Sequence, residues 1–245
     1  MRKCGPVFRL AAVCLTLASL TLSACGNSGE ATQPKATIGV STSLPLLWGE
    51  SGDIRGQLAQ TAPRHWALEA LEQRGKVVPL DTLAGPQGLS LPANGLLVLI
   101  QPRPLSPEEN VALDAWVRGG GRVLLFADPM LTAESAYPIG DPRRPEAIAM
   151  LSPILRHWGL ELEFDDTQPA GERMLSPFGI AVPVDLHGRF QANRRASCRL
   201  VTDGFAADCT IGRGRVIVLG DAALFDGDEA GRSDAFAALL RLLNR

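Results

Sequence analysis

Residues 94–130 confine this chain to few folds. Leu96 to Ile100 is a continuous apolar run that stops at Gln101-Pro102, the pattern of a strand covered on both faces. Ser106 is placed to cap a helix, Pro107 fits its first position, where no amide donor is needed, and Glu109 completes a Ser-x-x-Glu capping box. Ala112, Leu113, Trp116 and Val117 share one face of that helix. Asn110, Asp114 and Arg118 share the other, with Asp114 and Arg118 at supportive i,i+4 spacing. Gly119, Gly120 and Gly121 end it, since glycine takes the left-handed conformation at little cost. Arg122 then leads into Val123 to Ala127, a second buried strand closing on Asp128-Pro129. Strand, helix and strand within about 35 residues predict a right-handed βαβ unit with parallel strands.

The flanking sequence extends this pattern. Ala36 to Thr42 is β-branched and alternating, a first strand, followed by an irregular loop that holds Trp48 and Glu50. A helix is expected from Pro63 to Gln73 and a short strand from Val77 to Leu80, ending at Asp81. After a polar loop, residues 132–144, Pro145 to Trp158 reads as a helix interrupted at Ser152-Pro153 and closed by Gly159. Leu160 to Phe164 alternates apolar and acidic residues, as a strand with one wet face does. Short runs at 180–184, 189–192, 198–202 and 205–211, separated by Gly, Pro, Asp and Asn, predict a small antiparallel excursion over residues 165–211. Val216 to Leu219 is another buried strand, and Arg232 to Leu243 a closing helix with Phe236, Leu239, Leu240 and Leu243 at helical spacing. The expected fold class is α/β, a mostly parallel doubly wound sheet in one domain over residues 36–245.

Residues 1–24 read as a secretory signal: Arg2, Lys3 and Arg9, then an apolar stretch from Leu10 to Leu22, then Ser23-Ala24. Leu22-Ser23-Ala24-Cys25-Gly26 resembles a bacterial lipoprotein box, which implies lipid on Cys25 and a polar, disordered tether over residues 25–35. By the same resemblance, Gly26 after the cysteine favours the outer membrane, on the periplasmic side of the envelope. Without its signal the chain keeps 21 basic against 26 acidic residues, a net charge of about −5, which gives nucleic acid no basic partner. Cys198 and Cys209 then remain in an oxidising compartment, and a disulfide between them is favoured over a metal pair because no histidine or third cysteine lies nearby.

Open parallel sheets place ligands beyond the carboxyl ends of their strands. Those ends carry Ser41 to Ser43, Asp81, Gln101 to Arg103, Asp128 and Asp221. Asp128 and Asp221 each follow a buried strand directly. If the strands are neighbours, the two carboxylates could hold a cation or do acid/base work, or each could cap the turn that follows it. Gln101, Arg103, Trp48 and Glu50 complete the candidate ligand-binding set; Arg143 and Arg144 lie on a loop that could face the same edge. His65, His157 and His187 are scattered, and the Gly-x-Ser-x-Gly elbow, the P-loop and the dinucleotide fingerprint are missing. No cofactor is expected.

Leu-Ser-Pro-Glu-Glu at 105–109, Leu-Asp-Ala-Trp-Val-Arg-Gly-Gly-Gly-Arg-Val-Leu-Leu-Phe-Ala-Asp-Pro at 113–129 and Gly-Arg-Gly-Arg-Val-Ile-Val-Leu-Gly-Asp at 212–221 resemble the soluble domain of GldG-like auxiliary components of ABC transport systems. The resemblance covers roughly Ala36 to Arg245. It implies a fold similar to class I glutamine amidotransferases, whose cysteine nucleophile has no counterpart in the mature domain. The expected function is a lipid-anchored, periplasmic, non-enzymatic binding or accessory domain, auxiliary to an ABC transport system. The competing expectations are a metal-assisted hydrolase using Asp128 and Asp221, and a domain that only supports envelope structure.

Overall fold

The computed structural model describes residues 36–49 and 64–244. The signal, Cys25, the tether, Glu50 and Pro63 lie outside the described residues. Contacts divide the chain into Met1–Gln33 and Pro34–Arg245, and all described residues belong to the second unit.

Its frame is a seven-stranded sheet. In chain order the strands are β1 (Ala36–Thr42), β2 (Gly75–Pro79), β3 (Leu96–Ile100), β4 (Arg122–Phe126), β5 (Leu160–Phe164), β6 (Arg173–Leu175), β7 (Val182–Val184), β8 (Gly188–Ala192), β9 (Cys198–Val201), β10 (Ala206–Ile211) and β11 (Gly214–Leu219). The helices are α1 (Trp66–Glu72), α2 (Pro107–Arg118), α3 (Ser152–His157) and α4 (Arg232–Leu242). The large sheet runs β2-β1-β3-β4-β11-β10-β9, parallel from β2 through β11 and antiparallel beyond.

The organising unit forms as its local signals dictate. All five residues of β3 are buried, α2 begins at Pro107 with both halves of the Ser106/Glu109 capping box made, and β4 pairs with β3 in parallel. Leu113, Trp116 and Val117 turn into the core; burying such side chains contributes roughly 1.5–3 kcal/mol each. Because side chains alternate across a strand, the sheet feeds two cores. Val98, Leu124 and Ile217 pack with Trp66, Phe236 and Leu239 on one face, while Leu97, Leu125 and Val218 pack with Leu113 and Trp116 on the other.

The antiparallel pairing expected over 165–211 is present: β5/β8 and β6/β7 form two small antiparallel ribbons, while β9 and β10 extend the main sheet, because Ala206 to Ile211 find their partners on β11. One expectation needs correction. The helix expected over Pro145–Trp158 shrinks to Ser152–His157, because the backbone upstream bonds to strand tips instead: Glu146 N donates to Ser43 Oγ at 3.0 Å and Ala149 N to Asp128 O at 2.8 Å. Cys198 and Cys209 are directly paired across β9 and β10, and a disulfide joins them with Cα atoms 4.0 Å apart. Among the described residues no helix is long and apolar enough to cross a membrane.

Candidate functional site

Strand order reverses between β1 and β3. The connection leaving β1 runs to β2 on one side and the connection leaving β3 runs to β4 on the other, so the two diverge between the carboxyl tips of β1 and β3. That is where an open α/β sheet leaves a crevice. Here the crevice has a volume of about 800 Å³ and lies between the loop after β1, the start of α1, the tip of β2 and the loops at 103 and 137–143. Its floor is apolar, from Leu44, Leu46, Leu68 and Val77; Trp48, 69% exposed, and Tyr137 supply aromatic faces, and Arg64, Arg103 and Arg143 stand at its rim.

Each guanidinium is already neutralised. Arg64 pairs with Glu72 at 2.6 Å, Arg103 with Glu146 at 2.9 Å and Arg143 with Asp141 at 2.7 Å, while Arg143 also lies over the Tyr137 ring, 4.3 Å from its centroid. The hydrogen bond from Arg143 holds the Asp141 carboxyl well below the usual carboxylate range. Arg144, the other loop arginine, donates to Tyr137 O at 2.7 Å. His65 caps α1 through Nδ1, which accepts from Ala67 N at 3.1 Å, and its Nε2 faces Phe225 O at 3.1 Å. Burial lowers its pKa, so the neutral ring is favoured, with its remaining proton on Nε2.

Beneath the crevice the tips of β1, β3, β4 and β11 are sewn together. Gln101 is fully buried and sits at φ 42°, a left-handed conformation that a β-carbon makes costly. What holds it there is complete use of its polar atoms. Its amide donates to Phe126 O at 2.9 Å, and its carbonyl accepts from Ser43 N at 3.1 Å and Ser43 Oγ at 2.6 Å. Nε2 donates to Asp128 O at 3.0 Å and Glu146 O at 2.9 Å, and Oε1 accepts from Asp128 N at 2.9 Å.

Asp128 and Asp221 lie side by side at the tips of the paired strands β4 and β11 and are 1% and 2% exposed. All four carboxylate oxygens accept backbone amides. Asp128 takes Met130 N at 2.8 Å and Ala222 N at 3.0 Å; Asp221 takes Ala223 N at 2.5 Å and Asp185 N at 2.9 Å. Burial, resisted by its two amides, pushes Asp128 up to about 6. Burial and then the neighbouring Asp128 charge raise Asp221 well above the ordinary range. The pair clips three chain segments together.

The six sequence candidates therefore divide. Trp48 and Arg103 line the crevice; Gln101, Asp128 and Asp221 form the polar interior below it; Glu50 lies outside the described residues. Sequence reasoning missed Tyr137 and the leucines at 44, 46 and 47. The run Ser-Leu-Pro-Leu-Leu-Trp directly after the first strand was the available signal, since apolar residues at a strand tip on the switch point need a cover. Among the described residues no group of three or more His, Cys, Asp or Glu side chains is arranged to hold a metal ion.

Fold and crevice together define a mainly parallel α/β domain with a ligand-sized opening at its strand-order reversal. The chain belongs to the DUF4350 family, a domain of unknown function, whose sequence model matches residues 66–243. No curated protein matches it. Among solved structures, the mmIFT52 N-terminal domain is similar at 11% identity and TM-score 0.50, over 85% of this chain and 97% of that one. An exo-β-1,4-mannosidase from an Opitutaceae bacterium matches at 13% identity and TM-score 0.45, over 86% of this chain and 33% of its own. A cold-adapted β-galactosidase from Rahnella matches at 14% and 0.47, over 86% and 31%. This chain thus spans about a third of the length of those two enzymes. At 11% identity the mmIFT52 likeness is one of fold alone.

Proposed function

We propose that this protein is a non-enzymatic binding domain on the periplasmic face of the cell envelope, held by lipid on Cys25 in the outer membrane. It receives an apolar segment of a partner in the switch-point crevice, as an auxiliary of an ABC transport system. The observation that carries the reading is the character of the crevice: an apolar floor with aromatic faces, and rim charges that are already paired. Such a surface gains from covering hydrophobic area and has little uncompensated charge to offer a small ion. Ser43, just beyond the tip of β1, donates to Gln101 O and accepts from Glu146 N, so its hydroxyl is committed to holding the loops together. The two described cysteines are joined in the disulfide, which suits an oxidising compartment. The strand order β2-β1-β3-β4 supports the amidotransferase-like fold that the sequence resemblance implies, without its catalytic cysteine.

A photoreactive phenylalanine analogue at position 48, in cells making the full chain, tests this directly. The expected result is one dominant crosslink to a transport-system subunit, lost on Leu46→Asp; crosslinking only to solvent-quenched products overturns the partner reading. Radiolabelled palmitate should enter the wild type and not Cys25→Ser. The hydrolase alternative requires divalent cations to raise the melting temperature and Asp128→Asn to abolish that rise. We expect no cation-dependent shift.

A further inference from the structure

The opposite rim of the sheet, where the parallel strands begin, carries a second concavity of about 620 Å³, bounded by Ala36, Thr37, Arg74, Asn94, Arg122 and Asn244. Its two arginines differ from those of the crevice. Arg74 donates to Ala237 O at 2.9 Å, and Arg122 donates to Asn94 O at 2.9 Å and to the Asn244 side chain, all neutral acceptors. Among the described residues neither has a carboxylate within ion-pair distance. Burial and then the neighbouring positive charge of Arg241 lower the Arg74 pKa, so a third cationic side chain acts on this site. An arginine has five N–H donors in a fixed fork, and the carbonyl bonds leave most of them for an oxyanion.

Position adds what charge alone does not. Ala36, the first described residue, is itself part of the wall, so the chain leading from Cys25 enters at this rim. Eleven positions separate Cys25 from Ala36, a span of at most roughly 40 Å even when fully extended. The strand-tip crevice lies at the far end of β1, roughly 20 Å further from the point of entry.

We infer that the Arg74/Arg122 concavity binds the phosphate of an anionic lipid headgroup in the membrane to which the chain is anchored, orienting the domain with its crevice facing away. The inference rests on the proposed lipid anchor at Cys25. It turns a tether that only limits distance into a two-point attachment, in which the acyl group supplies residence and the arginines supply direction.

The test uses the full, processed lipoprotein reconstituted in phosphatidylcholine vesicles, with or without phosphatidylglycerol. Flotation reports the anchor and hydrogen exchange reports the site. With phosphatidylglycerol, amides at 93–96 and 240–244 should exchange roughly fivefold or more slowly, the factor expected of about one arginine–lipid interaction, while amides at 42–48 stay unchanged. The Arg74→Gln/Arg122→Gln variant should lose that protection, and the wild-type comparison between vesicles stands if the variant misfolds. Equal exchange in both vesicles overturns the inference, as does protection that persists in a folded double variant. Inorganic phosphate reproducing the protection on phosphatidylcholine vesicles would reassign the site to a soluble anion and overturn the headgroup reading. A protein that floats with neither vesicle refutes the anchor and this inference together; one that floats with both yet shows no protection refutes the inference alone.

Discussion

Gln101 shows how one side chain can set the chemistry of a whole rim. Its three side-chain hydrogen bonds tie β3 to the tip of β4 and to the segment at 146, and they offset a left-handed backbone that glutamine otherwise avoids. Gln101→Ala keeps the strain and strands the buried Asp128 amide without an acceptor, so it should cost about 2–4 kcal/mol in urea denaturation; a loss under about 1 kcal/mol would show that the network is not what closes the rim. The aspartate pair makes a second prediction, with a definite sign. Because the folded pKa of Asp128 is pushed up to about 6, the folded state binds its proton more tightly than the unfolded one does. This contribution, on the order of 3 kcal/mol, is full below the unfolded value and fades as pH rises through about 6. Asp208, held down chiefly by its hydrogen bond from Arg215, acts oppositely and loses its contribution as pH falls through the ordinary carboxylate range. Stability should therefore peak at about pH 4. Because burial of His65 and His187 acts oppositely up to about pH 6.5, the fall is read against Asp128→Asn. Between about pH 4 and 6.5 the wild-type denaturation midpoint should lose ground to the variant's, and a constant difference would contradict the buried pair. Their place at strand tips was legible in the sequence, since each aspartate follows a buried strand, but not the pairing of β4 with β11 that makes them neighbours. The role of Gln101 was not, because its partners lie 27, 45 and 58 positions away.

Elements were legible in proportion to how local their causes are. Helix α2 carries its start, faces and end within its own residues, and it forms over the expected span. Helix α3 was overextended because Pro145 to Leu151 looks helical in isolation, while hydrogen bonds to Ser43 and Asp128 draw that backbone away. The same logic explains Gly212-Arg-Gly-Arg. Gly212 sits at φ 61° against the backbone of Arg118, and a β-carbon on Gly214 would collide with the carbonyl oxygens of Val117 and Gly121. The motif is thus the seat on which the end of α2 rests, which is why it marks the frame more than any reaction. Gly214→Ala should destabilise by about 3 kcal/mol or more, since the obstructing atoms are backbone and cannot swing aside, whereas Gly88→Ala meets no atom and should cost only the left-handed backbone penalty at φ 87°, about 1–2 kcal/mol. Comparable thermal melts of the two variants would refute this packing.

On the scale of the whole molecule, the central sheet is shared property. Neighbouring residues of one strand serve opposite faces: Val98 packs with the Trp66 and Leu239 layer, Leu97 and Leu99 with the Leu113 and Trp116 layer. Neither layer can dissolve without stripping cover from strands the other needs, so the two cores should behave as one cooperative unit despite their separate memberships. The two rims differ, with paired charges and apolar floor at one end and, at the other, arginines that meet only neutral acceptors among the described residues, a contrast no stretch of sequence displays because its members come from elements more than 100 positions apart. Leu239→Ala and Leu113→Ala, each removing a fully buried side chain from a different face, test the coupling. Each should cost about 2–5 kcal/mol and move the entire unfolding transition, with far-UV circular dichroism and tryptophan fluorescence remaining superimposable. If the layers were independent, each substitution would instead split the transition and shift only the part reporting its own face.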